Sequence, residues 1–233
     1  MVAQAHSFVH MLFISIIALF PVVNPFGSAL IVSPYLSQLS EHDKNASVKK
    51  ITIYAFFICI VFLLGGHWIL ELFGISVPVI QLAGGIMICK MGWDSLSAGT
   101  DNPTEKDDVK EFSKTNNGEN IKDRLFYPLT FPITTGAGTI SVLFTLSAHS
   151  SSTDWISYSV KTMAVLTAIV AMCILVYIFY GNTKIIINKL GSNGQVIANR
   201  IIAFLIFCVG LQIAVTGIKS LFPIATTLKG ITN

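Results

Sequence analysis

From Phe8 to Leu39 the chain runs for 32 positions without a Lys, Arg, Asp or Glu, whereas about 20 apolar residues already carry a helix across a ~30 Å hydrocarbon core. Inside this run stands Pro21-Val22-Val23-Asn24-Pro25-Phe26-Gly27. Pro25 removes a backbone donor and strains the preceding turn, Gly27 permits unusual dihedrals, and Asn24 brings a donor and an acceptor to the same place. Lipid cannot satisfy freed N–H and C=O groups, so irregular backbone at membrane depth has to lie against protein or a polar cavity. The segment is therefore expected to break the first helix and to mark a site. A kink that serves packing alone is the competing reading.

A second interruption strengthens the first. Pro128-Leu129-Thr130-Phe131-Pro132-Ile133-Thr134-Thr135-Gly136-Ala137-Gly138-Thr139 opens another apolar run, with two prolines, two glycines and a set of hydroxyls. Composition agrees with a membrane setting: 53% of the residues are hydrophobic, 12% are charged, and the mean hydropathy is +0.70, outside the range of ordinary soluble domains. A cleaved signal peptide does not fit, because the first run lacks a basic leader and is too long. Cys59, Cys89, Cys173 and Cys208 each stand alone in apolar sequence and read as small buried hydrophobes, with no disulfide or metal framework.

Stretches able to span fall at about 8–39, 51–72, 77–98, 126–148, 160–187 and 196–222, which predicts an all-α membrane protein of six transmembrane helices. Phe73-Gly74-Ile75-Ser76 reads as a tight turn between the second and third. The polar stretch 99–125 reads as a solvated linker between a first three-helix repeat, 1–98, and a second, 126–233. Eleven cations (Lys44, Lys49, Lys50, Lys106, Lys110, Lys114, Lys122, Arg124, Lys184, Lys189, Arg200) fall on one side of this topology, against Lys161, Lys219 and Lys229 on the other. Positive charge marks the cytoplasmic face, so both termini are expected outside. Three helices per half is an odd number, so duplicated halves would have opposite orientations. Such inverted repeats, with paired broken helices, hold a transported substrate near the midplane.

The residues also resemble a known family, the MarC-type membrane proteins, grouped with neutral amino acid transporters. The resemblance rests on Val23-Asn24-Pro25-Phe26-Gly27, on Phe73-Gly74-Ile75 followed by Leu82-Ala83-Gly84-Gly85-Ile86, on Pro128-Leu129-Thr130-Phe131-Pro132 through Gly136-Ala137-Gly138-Thr139-Ile140, and on Val215-Thr216-Gly217-Ile218-Lys219. It implies six spanning helices in a bacterial or archaeal cytoplasmic membrane and transport of small neutral amino acids. Two departures stand out. Gln81 occupies a place where the family usually has arginine, although its counterpart in the second half, Arg200, is present. Gly136-Ala137-Gly138 stands where Gly-Pro-Gly is usual.

The expected chemistry is a pair of half-helix N-termini offering N–H groups and fractional positive charge to a carboxylate. Asn24, Thr134 and Thr135 would add side-chain hydrogen bonds, and Pro25 would leave a carbonyl free for an ammonium. Gly27, Gly136 and Gly138 would let a small ligand approach the backbone. Lys90 and Asp94, four apart on one helix, read as an ion pair in preference to a transport group. Arg200 reads as a membrane anchor or an inner gate, with Gln81 as an uncharged outer counterpart. No cofactor or metal is expected. No acid lies near the predicted midplane, so coupling to Na⁺ or H⁺, or no coupling, stays open. The expected partners are the lipid bilayer and a small-molecule substrate, not nucleic acid; a homo-oligomer is left open. The alternatives are an aquaporin-like pore, which would want Asn-Pro in both halves where this chain has Phe131-Pro132 in the second, and a drug or metabolite exporter. Catalysis is not expected, because the chain holds neither H-E-x-x-H nor G-x-S-x-G.

Overall fold

The computed structural model describes residues 2–97, 125–150 and 154–222. The expected linker at 99–125 lies outside these apart from Leu125, and so do Lys106, Lys110, Lys114, Lys122, Arg124 and Lys229. All regular structure among the described residues is helical: α1 (Val2–Val23), α2 (Pro25–Leu36), α3 (Glu41–Leu72), α4 (Val77–Ser97), α5 (Leu125–Thr134), α6 (Ala137–Ser150), α7 (Trp155–Gly181) and α8 (Thr183–Leu221). Both halves share one order, a broken helix, then a long helix, then a closing helix. α1–α2, α3 and α4 are followed by α5–α6, α7 and α8.

The helix ends follow from local chemistry. Ser40 caps α3 by accepting from the Asp43 N–H at 3.2 Å and donating back to the Asp43 carboxylate at 2.8 Å, with Glu41 and Asp43 suited to the positive helix start. α3 stops at Gly74, whose φ of +63° sets up the paired bonds Gly74 N–H to Glu71 C=O and Ile75 N–H to Leu70 C=O. The expected tight turn is thus present. Asp154 caps α7 through the Ser157 N–H at 3.1 Å; the Ser157 hydroxyl and backbone hold its carboxyl below the usual range.

Four runs are long and apolar enough to cross a bilayer, Gln4–Leu36, Glu41–Leu72, Trp155–Gly181 and Asn193–Leu221; α5 with α6, bent by 64°, adds a fifth if the two form one span. That is fewer than the six expected. The shortfall is α4, whose 21 residues include Gln81, Lys90, Asp94 and the glycines at 84, 85 and 92, which dilute its hydropathy. The expected fifth and sixth helices also differ in detail. The helix of α8 resumes after Gly191, at φ +63° and ψ 177°, so Thr183–Leu190 forms a separate arm. Lys184 on this arm pairs with Glu41 at 2.7 Å, which places the starts of α3 and α8 at one end of the bundle.

Large apolar side chains such as Phe13, Ile17, Phe57, Val61 and Ile201 are exposed, as befits helices whose solvent is hydrocarbon. Trp68 and Trp155, near the α3–α4 turn and at the start of α7, are exposed too, where amphipathic rings favour the interface. Of the four cysteines expected to be buried, Cys59 is, Cys89 and Cys173 are partly buried, and Cys208 is exposed, as a thiol on a lipid-facing helix surface can be.

α4 packs against α8 through glycine. A Cβ on Gly92 would stand 2.8 Å from the Phe207 Cα, one on Gly210 would meet the Cys89 N at 2.5 Å, and one on Gly217 would meet the Leu82 N at 2.8 Å. Backbone meets backbone here, the close approach that small residues allow between helices in lipid. Gly92→Leu is expected to force the helices apart, costing about 1–3 kcal/mol and visibly lowering the thermal midpoint of the purified protein. Gly181→Ala, at a position with open space around it, serves as the neutral control; an unchanged midpoint for Gly92→Leu would refute the interface.

Candidate functional site: the junction of two helix breaks

Asn24 sits between α1 and α2 in the left-handed region, φ 43° and ψ 63°, which asparagine tolerates better than most residues. Its side-chain oxygen accepts from the Gly27 N–H at 3.0 Å, its carbonyl accepts from the Ser28 N–H and hydroxyl at 2.9 and 2.7 Å, and its own N–H donates to Phe20. Pro25 occupies the first helical position, where a missing N–H costs nothing. Gly27 is glycine for a local reason: a Cβ there would collide with the folded-back Asn24 carboxamide. The helix start that was expected to face a substrate is therefore largely capped by its own residue. Among the described residues, the Asn24 amide nitrogen and the Phe26 N–H stay without a partner.

The second break repeats a four-residue unit, Tyr127-Pro128-Leu129-Thr130 and Phe131-Pro132-Ile133-Thr134. Tyr127 and Phe131 are extended, at φ −118°, ψ 124° and φ −116°, ψ 122°, as expected of residues that precede proline. The turns between them are wide, and each threonine hydroxyl reaches back five residues, Thr130 to the Leu125 carbonyl and Thr134 to the Leu129 carbonyl, both at 2.7 Å. The Thr135 N–H follows suit to the Thr130 carbonyl at 2.8 Å. The prolines remove donors, and the threonine hydroxyls replace them at the Leu125 and Leu129 carbonyls.

The fold brings the two breaks together. Gly138, at the start of α6, is buried with its Cβ position 3.7 Å from Val22 and 3.2 Å from Ile88. The Thr139 hydroxyl points to the Val22 carbonyl at 3.5 Å. Tyr180, at the end of α7, has no exposed surface; its hydroxyl meets the Thr134 hydroxyl at 2.7 Å and is hydrogen-bonded to Ser28. A buried polar thread thus runs from the Asn24 carbonyl through Ser28 and Tyr180 to Thr134. Tyr180 and Ser28 were missed in the sequence: a tyrosine at the end of an apolar helix looks like an interfacial anchor, and only packing shows it is interior.

Not every expected site residue meets at this junction as a ligand group. Thr134 spends its hydroxyl on Leu129 and Tyr180. Thr135 is buried beside a void of about 10 Å³ shared with Leu19, Val23 and Cys59, room for one water at most. Gly136 has only the Pro132 carbonyl near its Cβ position. Asn24 and Gly27 do border a cavity of about 60 Å³, completed by Ile31, Ser95, Asn199 and Ala203; Ser95 and Asn199, near helix ends, carried no sequence signal. Gln81 lies elsewhere, 95% buried on a separate cavity of about 260 Å³. Lys90 and Asp94 form an ion pair at 3.1 Å with both side chains exposed. Arg200 is exposed among the described residues, whereas Gln81, its expected counterpart, is buried; neither has a partner among them.

The polar thread predicts a coupled cost. Tyr180→Phe and Thr134→Val each leave buried partners unsatisfied and are expected to destabilise by about 1–3 kcal/mol, Thr134→Val the more because it also strips the Leu129 carbonyl. The double variant should cost clearly less than the sum. Additive unfolding energies in detergent would show that the hydroxyls do not interact.

Comparison with known proteins shows the family to which the sequence is related. Membrane protein YvbG of Bacillus subtilis is 30% identical over 213 residues, covering 91% of this chain and 95% of its own length. A membrane protein of Pyrococcus abyssi is 27% identical over 89% of this chain and 94% of its own. The inner membrane protein MarC of Escherichia coli is 25% identical over 88% and 92%. No solved structure matches. Residues 9–222, from before the first break to the end of α8, match the family described as MarC family integral membrane protein; the chain belongs to that family of multi-pass membrane proteins.

Proposed function

We propose that this protein is a carrier for small neutral amino acids, working by alternating access around the junction of the two broken helices in two inverted repeats of a cytoplasmic membrane. The observation that carries this reading is the meeting of two interrupted helices in the apolar interior, Gly138 against Val22, with a buried polar thread between them. Interrupted helices that meet in the interior are a recurrent way in which transporters build a substrate site.

The groups left over suit a zwitterion. The Phe26 N–H and the Asn24 amide nitrogen are donors at a helix start for a carboxylate, and the Thr135 hydroxyl and neighbouring carbonyls are acceptors for an ammonium. The 60 Å³ cavity beside Asn24 suits only a very small solute as it stands. Two cavities flank the junction from opposite ends of α4, one at Ser95 and the other at Gln81. The packed contact of Gly138 with Val22 and Ile88 lies between them, which favours a carrier over an open pore.

Asn24→Asp separates the two roles of this residue. It keeps the acceptor that caps Gly27 but replaces the free amide donor with negative charge, whereas Asn24→Ala removes both. In liposomes, saturable uptake of labelled alanine is expected for the native protein, with kcat/KM down at least about tenfold in Asn24→Asp, the change expected for one lost hydrogen bond to a charged group. Unimpaired uptake by a folded Asn24→Asp protein would remove Asn24 from the site. Failure of the native protein to take up alanine, glycine or serine under any sodium or proton gradient would overturn the reading.

A further inference from the structure

A second cavity lies away from the junction and has a different chemistry. It occupies about 260 Å³ between α1, α4, α6 and α8. Its floor is formed by Ala18 and Val142, one helical turn from Val22 and Gly138, whose contact closes the junction. Its walls are mainly apolar, with Met11 and Leu146 among them, and its polar groups are neutral: the carboxamides of Gln81 and Gln212 and the hydroxyls of Thr145 and Thr216. Among the described residues, no Lys, Arg, Asp or Glu lines it. His149 stands at its exposed edge, its Nδ1 engaged with the Thr145 carbonyl at 2.8 Å.

Gln81 is the informative residue. The residue is 95% buried, lines the cavity, and finds no hydrogen-bond partner among the described residues. Its carboxamide atoms are not sealed in protein but reach the cavity, so whatever occupies that space is what they pair with. The Thr145 and Thr216 hydroxyls already donate to Ser141 and Gln212 carbonyls one turn back, so they offer only acceptor lone pairs. Gln81 therefore provides a free donor and a free acceptor on one side of an apolar chamber. A charged ligand would lose its hydration with no countercharge to replace it, whereas an uncharged amide would match the carboxamide group for group.

We propose that this cavity is a binding site for uncharged, mainly apolar molecules bearing an amide, of about a dozen non-hydrogen atoms, since its volume falls just below the ~300–1,000 Å³ range of drug-sized pockets. Gln81 is the hydrogen-bonding anchor and the apolar walls of α1 and α6 supply the remaining contact. The site is separate from the one that takes the zwitterion and does not depend on the carrier reading. Its occupant sits directly over the closed contact between Gly138 and Val22.

The test is equilibrium binding of labelled N-acetyl-leucinamide to the full chain in lipid nanodiscs, with empty nanodiscs as background. Saturable binding is expected, weakened about tenfold or more in Gln81→Leu, lost in Ala18→Phe, which fills the floor, and unaltered in Asn24→Asp. A thousandfold excess of free leucine, the zwitterion with the same side chain, is expected not to displace it. Gln212→Leu, at an exposed position, should weaken binding to a lesser degree and is available if Gln81→Leu does not fold. The proposal is overturned by absence of saturable binding to the native protein, as a chamber occupied by a lipid tail would give. It is equally overturned by native affinity in both glutamine variants or in Ala18→Phe, or by displacement with leucine. Because the readout is binding, failure of alanine uptake leaves this result untouched, and the reverse also holds.

Discussion

Everything in this structure depends on one constraint: inside hydrocarbon, a backbone N–H or C=O without a partner is too costly to keep. A chain with prolines in the middle of two apolar runs has to answer that constraint locally. The first break does so with a single residue, Asn24, which takes the left-handed conformation and caps the next helix with its own carboxamide. The second does so by repetition. Proline removes a donor, the preceding residue becomes extended, and a threonine hydroxyl reaches back five residues to the carbonyl left over. Both devices are cheap in sequence and self-sufficient in space. They let irregular backbone persist in the interior before any ligand is considered.

Once the breaks are stable, packing decides what they can do. Gly138 lets α6 approach α1 and α4, so that the breaks touch, and Tyr180 ties one to the other through Ser28 and Thr134. The α4–α8 pair is held by glycines facing backbone, with the Trp93 and Phe207 rings meeting across it. Cavities open at its two ends, a small polar one beside Asn24 and a large, mostly apolar one beside Gln81. Two unlike chambers on either side of a closed contact are what a gated path and an accessory site would both require. Membership of the MarC family places this arrangement in a group of membrane proteins found in bacteria and archaea.

Much of the outline was legible in the residues. The charge-free run over 8–39, the Gly74 turn and the proline clusters at 25 and 128–132 report backbone facts that do not depend on the rest of the chain: proline has no N–H wherever it stands, and glycine admits positive φ. The predicted third span, 77–98, coincides with a helix, α4, but not with one apolar enough to count among the runs that cross a bilayer. α4 carries Gln81, Lys90 and Asp94, and its apolar character is diluted because one of its faces is given to glycines that meet α8. Site roles were hardest to read. Thr134, Gly27 and Gly138 were expected to serve a ligand, yet the structure spends them on a carbonyl, on room for Asn24 and on helix contact. A hydroxyl or a glycine has the same appearance in sequence whether it binds a substrate or its own backbone.

The sequence by itself therefore determined that the chain lies in a membrane, that it is helical, and where two of its helices must break, because those outcomes follow from hydropathy summed over a span and from the covalent nature of proline. Only the tertiary structure decided that the two breaks meet, that Tyr180 is interior, and that Gln81 faces an empty chamber while Arg200, its expected counterpart, faces outward. Contacts between residues more than a hundred positions apart, such as Thr139 with Val22, depend on how closely helices approach, and that distance is set by the side chains on both partners at once.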